Sequence, residues 1–357
     1  MQPRQVIEAL EVMLRANTGR KYAYLLTSAP GAGKTACMKE AIKRAGLRSV
    51  FTDFGTSDPM DPKGIGWVVK EGAKGKEETI AKFLPYQDIR TLLSSTDDDP
   101  IVWVWDDCGW ATDAVQKAWA HGIDEGRFGD TVIPKSVKLI AASNRRGDKS
   151  GVKGLLEAFR SRFTTLIEFE PCIQDFEAWW YTSGLPLEPI AYLSQVPDKL
   201  LVFEPTLEMK PTPCPRTWEA VGRLLELPYS EPVMLELVNG TIGEDVGKDF
   251  FRVLRLMKEK LDLNGIIANP TTAPIPKPEK ISALFAISSG LGKMANLETF
   301  PNISKYMMRV ADAGFEEFAV LMLHTCVRNH RELYSTPTFT ELMTNTKFAD
   351  LIANTSV

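Results

Sequence analysis

Everything in this chain turns on 28-SAPGAGKT-35, eight residues set between 22-YAYLLT-27 and 36-ACMKEAIKRAG-46. The first flank is a short apolar, β-prone run. The second has helical spacing and is closed by Gly46, so the order predicted is strand, glycine loop, helix. A loop that cradles phosphates needs glycines so that successive backbone N–H groups can turn inward, a lysine to neutralise charge, and a hydroxyl for magnesium. Gly31, Gly33, Lys34 and Thr35 supply these, and Pro30, Ala32 and Ala36 complete the segment expected to line the nucleotide. The pattern G-x-x-x-x-G-K-[ST] places a glycine at 28, where this chain has Ser28; small size is kept. The loop also opens a helix, whose N-terminal dipole favours an anion. The bland alternative is a plain strand-to-helix turn.

Support comes from 101-IVWVWDD-107, which sets two carboxylates at the end of a buried-looking strand. Asp106 is expected to join Thr35 in holding magnesium, and Asp107 to accept a proton from, or orient, an attacking water. Next, 137-VKLIAASN-144 ends a strand on Asn144, whose amide can reach the γ-phosphate or that water. The segment 154-GLLEAFRSRF-163 offers Arg160 and Arg162 ahead of a last strand. A fixed guanidinium suits the charge of a transferring phosphoryl group; Arg162 is the first choice and Arg160 the second. A solvated turn, a polar strand end and surface arginines are the alternatives.

Strands are predicted at 22–27, 49–54, 101–105, 137–142 and 164–169, with a helix in 111-ATDAVQKAWAHGIDEG-126. Their alternation implies a parallel α/β sheet. The organisation expected is an α/β nucleotide-binding core over 1–172, a helical lid domain over 173–265, a proline-rich linker over 266–280 and a C-terminal helical module over 281–357. Val6, Leu10, Met13 and Leu14 share one face of a helix at the start of the chain. In the last module Phe315, Phe318, Met322 and Cys326 lie at helical spacing.

Composition excludes less than it permits. The 357 residues are 44% hydrophobic and 25% charged, an ordinary globular balance. With 42 Lys plus Arg against 46 Asp plus Glu, the net charge of −4 gives no global attraction to nucleic acid or anionic membranes. Cys37, Cys108, Cys172, Cys214 and Cys326 form no C-x-x-C pair, which argues against a zinc site or a disulfide framework and fits a reducing cytoplasm. His121, His324 and His330 have no ligand spacing and receive no role. No run resembles a signal peptide or reaches the length of a membrane span.

Taken together and in this order, the residues resemble the AAA+ ATPases, most of all the MoxR-type branch, including versions found in phages. The loop with Pro30 and Gly31 is similar to that family's first Walker motif, Asp106 and Asp107 to its second, Asn144 to its polar sensor, and 155-LLEAFRSRF-163 to the helix that carries the arginine finger. Hydrolysing relatives more often have Glu at the second acidic position. The stretch 211-PTPCPRTWEAVGRLL-225 resembles the second sensor at the start of a lid helix, which implicates Arg216. Two inserts fit the same branch: 123-IDEGRFGD-130 with Gly129 and Asp130 at a hairpin turn, and 57-SDPMDPKGIGWVVKEGAKGKEETIAKFLP-85, similar to an insert that interrupts the second core helix. The resemblance spans about residues 20–260.

It implies ATP and Mg2+ bound between neighbouring subunits of a homo-oligomeric ring, a hexamer by family habit, with the finger supplied by the next chain. It also implies an external partner, often a protein with a von Willebrand factor A domain, and no membrane. Three readings follow: an ATP-driven protein remodeller, favoured by the branch and the mildly acidic charge; a nucleic-acid motor, for which Lys70, Lys74 and Lys76 can line a pore; and an ATP-binding scaffold with little turnover, kept open by Asp107.

Overall fold

The computed structural model describes residues 1–16, 19, 22–72, 78–145, 154–202, 210–259, 262–277 and 281–344. Lys74, Lys76, residues 146–153 of the stretch before the finger helix, and 345–357 of the terminal module lie outside the described residues. The chain divides into two compact units, one of residues 1–176 with 201–216, the other of 177–200 with 217–357.

In the first unit, the strands are β1 (Ala23–Ser28), β2 (Arg48–Asp53), β3 (Ile65–Glu71), β4 (Glu78–Leu84), β5 (Ile101–Asp106), β6 (Arg127–Phe128), β7 (Thr131–Val132), β8 (Lys138–Asn144) and β9 (Thr165–Glu168). Five of them form one sheet in the order β2-β5-β8-β1-β9, every neighbouring pair parallel. Helices α1 (Pro3–Arg15), α2 (Lys34–Ala45), α3 (Gln87–Leu92), α4 (Asp113–Asp124) and α5 (Glu157–Arg160) accompany it. This is an α/β fold of the P-loop NTPase kind, with a helical part following.

The period-2 alternation of β5 explains the layering. Ile101, Trp103 and Trp105 point into one core with Val115, Trp119 and Ile123 of α4, while Val102 and Val104 point into the other with α1 and α2. A sheet covered on both faces needs apolar residues at every position, and β5 is buried from Ile101 through Trp105. The α1 face is the one its spacing predicts: Val6, Leu10, Met13 and Leu14 are all buried. Helix α2 ends where expected, with Gly46 at φ +70 accepting the left-handed conformation that a Cβ would strain.

The insert differs from its expectation on one side. An antiparallel hairpin, β3 with β4, is followed by α3, but the described residues 54–64 that lead from β2 into it hold no helix. Pro59, Pro62 and Gly64 break that segment, and Asp58 turns it locally by accepting from Met60 N–H at 2.9 Å. The hairpin leaves Trp67 57% and Val68 64% exposed. The second hairpin, β6 with β7, turns through Gly129 at φ +59.

The second unit is helical. It holds most of α6 (Ile173–Ser183), then α7 (Glu188–Leu193), most of α8 (Pro215–Leu225), α9 (Glu231–Ile242), α10 (Glu244–Glu259), α11 (Leu263–Ala268), α12 (Ile281–Met294), α13 (Phe300–Asp312), α14 (Glu316–Asn329) and α15 (Pro337–Thr344). Trp218, Tyr192 and Phe250 meet ring to ring, Trp218 Nε1 donates to Lys199 O at 2.8 Å, and the Tyr192 hydroxyl donates to Asp249 at 3.0 Å. The proline-rich segment is tied to α13: Arg309 donates to Pro270 O and Ala273 O, and Tyr306 to Pro274 O. Phe318, Met322 and Cys326 are buried along α14.

Candidate active site

The site is assembled at the carboxyl ends of the parallel strands, where α/β sheets bind ligands. Strand β1 delivers Ser28, and its register with β8 places Asn144 directly opposite. Strand β5 delivers Asp106 beside Asp53 of β2. The loop from Ala29 to Gly33 then turns sharply enough to require two glycines in left-handed conformations, Gly31 at φ +71 and Gly33 at φ +106. Gly33 is the N-cap of α2 and offers no side chain to its first N–H groups. The N–H groups of the helix's first turn are those a phosphate can take. Ala32 is buried, Pro30 half-buried and Ala36 exposed.

Lys34 is 7% exposed. Its ammonium donates to Asn144 Oδ1 at 2.6 Å and lies 3.2–3.3 Å from Ser28 O, Ser28 Oγ and Ala29 O. An ammonium has three protons, so these four oxygens already exceed its capacity and one contact can be exchanged for a phosphate oxygen. Ser28 therefore does more than keep the loop small. Its hydroxyl is buried, donates to Ala29 O at 3.1 Å and helps hold the lysine.

Thr35 Oγ1 donates to Asp106 Oδ2 at 2.7 Å, and the other carboxylate oxygen accepts from Asp107 N–H at 3.0 Å. A hydroxyl and a carboxylate in contact at a phosphate loop fit magnesium, which keeps several waters and takes one or two protein oxygens plus phosphates. Among the described residues, no cluster of three or more His, Cys, Asp or Glu side chains is disposed to hold a metal unaided.

Asp107 is the one non-glycine residue at positive φ among the described residues, at +53. Aspartate tolerates this region better than most side chains. The turn lifts the carboxyl off the strand end, half-buried. Burial, then the charge of Asp106, push its pKa above the ordinary carboxylate value; Lys34 opposes the shift, Asp53 adds to it, and Arg216 opposes it last.

Arg216 lies on the same chain as this loop. Its N–H donates to Gly31 O at 3.3 Å, its side chain is exposed, and its charge is felt at Asp107. Beside it, Cys214 presses so closely that a Cβ on Gly31 would come within 2.4 Å of its Sγ.

The two finger candidates are not brought into this group. Arg160 is exposed and pairs with Glu157. Arg162 donates to Ala158 O, and its Nε lies 2.6 Å from Asp124 Oδ2 in an ion pair without hydrogen-bond alignment. Neither contacts the phosphate loop, Asp106, Asp107 or Asn144 of its own chain.

Sequence reasoning missed Asp53, Cys214 and Gln116. Asp53 had a signal, since it ends a predicted strand beside another that ends in an aspartate. Gln116 had a weaker one, a polar residue on the apolar face of α4. It is fully buried, donates to Ala111 O and Gly154 O, and accepts from Leu156 N–H at 2.8 Å.

No protein-family model matches the chain, and no curated protein sequence matches it. Among solved structures, a mutant RuvB from Thermotoga maritima is similar with a TM-score of 0.39 and 15% identity, over 81% of this chain and 81% of that one. The T. maritima RuvB Holliday junction branch migration motor is similar with a TM-score of 0.37 and 18% identity, over 87% and 88% respectively. Both likenesses are distant.

Proposed function

We propose that the chain is an AAA+ ATPase of the MoxR-type branch, which binds ATP with Mg2+ and hydrolyses it at the interfaces of a homo-oligomeric ring to remodel a partner protein. The observation that supports this best is the network in which Lys34 meets Asn144 while Thr35 meets Asp106, with Asp107 raised on a left-handed turn beside them. In this reading the N–H groups opening α2 and the Lys34 ammonium bind the phosphates. Thr35 and Asp106 would hold magnesium, which would supply charge neutralisation at the phosphates.

Asp107 orients the attacking water and accepts its proton, and Asn144 fixes that water from the adjacent strand. Arg216, on the strap against Gly31, adds positive charge from the same chain. Arg162 serves the site of the neighbouring subunit, which accounts for its distance from the catalytic group of its own. Loss of the γ-phosphate would then release contacts across the interface and move the 127–132 hairpin against the partner. The mildly acidic net charge of −4 favours a protein partner over a nucleic-acid one.

The test is subunit mixing. Lys34→Ala has an intact finger and no nucleotide; Arg162→Ala has an intact nucleotide site and no finger. Each alone should be slower than wild type by about a thousandfold or more, and an equimolar mixture should recover about a quarter of the wild-type activity, the share of randomly mixed interfaces that join an intact loop to an intact finger. Mixtures no faster than the two variants separately would contradict a shared site.

A further inference from the structure

Helix α4 links the catalytic turn to the finger within one chain. It starts just after Asp107: Trp110 N–H donates to Asp107 O, and Thr112 caps the helix by accepting from Val115 N–H at 3.4 Å. In its first turns, Gln116 spends its whole amide on Ala111 O, Gly154 O and Leu156 N–H. These bonds pin the strand of chain that enters α5.

The last turn is fixed from the other side. The Phe128 ring lies flush on Gly122, where an added Cβ would fall 2.2 Å from Cζ, and it packs edge-on against Trp119 and Trp103. Gly126 N–H donates to His121 O, and Gly126 O accepts from Ile133 N–H at 2.7 Å, closing the hairpin onto the helix. Asp124 stands on this turn and faces Arg162 at 2.6 Å. The Arg162 side chain is about one quarter exposed, with Nε buried against Asp124 and an Nη donating to Ala158 O.

We propose that Asp124 is a positioning residue for Arg162. It holds the guanidinium in the direction from which it meets the neighbouring subunit's phosphates, and it ties that direction to the base of the 127–132 hairpin. The inference rests on the ring reading above, in which Arg162 acts in trans. The charge pair lacks hydrogen-bond alignment and Asp124 is half exposed, so its loss should cost little stability. What it supplies is orientation, which in catalysis is worth far more than the contact energy itself.

A kinetic double-mutant cycle in the full-length protein tests this. Asp124→Asn should lower kcat about tenfold while leaving the ATP Kd within about twofold and the Tm nearly unchanged. Asp124→Glu, which keeps the charge, should recover most of that loss. In the Arg162→Ala background Asp124→Asn should have no further effect, since a residue acting only through Arg162 has nothing left to position. Wild-type kcat in Asp124→Asn, with Arg162→Ala still slow, would overturn the proposal and leave the ring reading standing. The same tenfold loss repeated in the Arg162→Ala background would do likewise. Wild-type turnover in Arg162→Ala would instead overturn the finger, and the positioning role with it.

Discussion

Asp107 serves two opposing demands. Its backbone sits at φ +53, and its carboxyl is pressed by burial and by Asp106 toward the protonated form, yet the chemistry proposed for it needs the carboxylate. A carboxyl whose folded pKa is raised binds its proton more readily in the folded state. The stabilisation this gives is fully present below the unfolded value and is lost as pH rises through the raised one. At neutral pH the ionised side chain therefore works against folding. Asp107→Asn should lower phosphate release about a hundredfold or more and yet raise the Tm at pH 7, with the difference shrinking on acidification. The acid limb of wild-type kcat/KM, which reports the free enzyme, should lie above the ordinary aspartate range for the same reason. A variant that is both inactive and less stable at pH 7 would refute this view of the turn.

Between elements, the contact that most constrains the phosphate loop is the strap around Cys214. Gly31→Ala places a methyl against Cys214 Sγ and imposes a side chain at φ +71. The backbone strain alone costs about 1 kcal/mol. ATP affinity should fall about tenfold or more, and adding Cys214→Ala should recover only the steric part; no recovery at all would show that the strap does not press on the loop. This contact was invisible in the sequence because 183 residues separate its partners. The five strands, by contrast, were legible within about two residues, since each is a β-prone run bounded by turn residues, and the central β5 and β8 are buried on both faces. Lys34, Thr35 and Asp106 were legible because loop chemistry and strand ends dictate them. The Lys34 contact with Asn144 needed the β1/β8 register, and the missing helix before the insert needed closer attention to Pro59, Pro62 and Gly64.

For the whole molecule, the described residues contain no helix long and apolar enough to cross a membrane, and the chain falls into two compact units, the first of which carries the entire candidate site. In the proposed reading, binding and hydrolysis belong to residues 1–176 with 201–216, and completion of the site to a second copy. The measurement that bears on this reading before any other is steady-state phosphate release by the purified protein with ATP and Mg2+, alone and with single- or double-stranded DNA, beside Asp107→Asn. Turnover that the variant loses and DNA does not raise is the expected result. Phosphate release that survives Asp107→Asn would contradict the assigned catalytic group, and strong stimulation by DNA would contradict the protein-remodelling role.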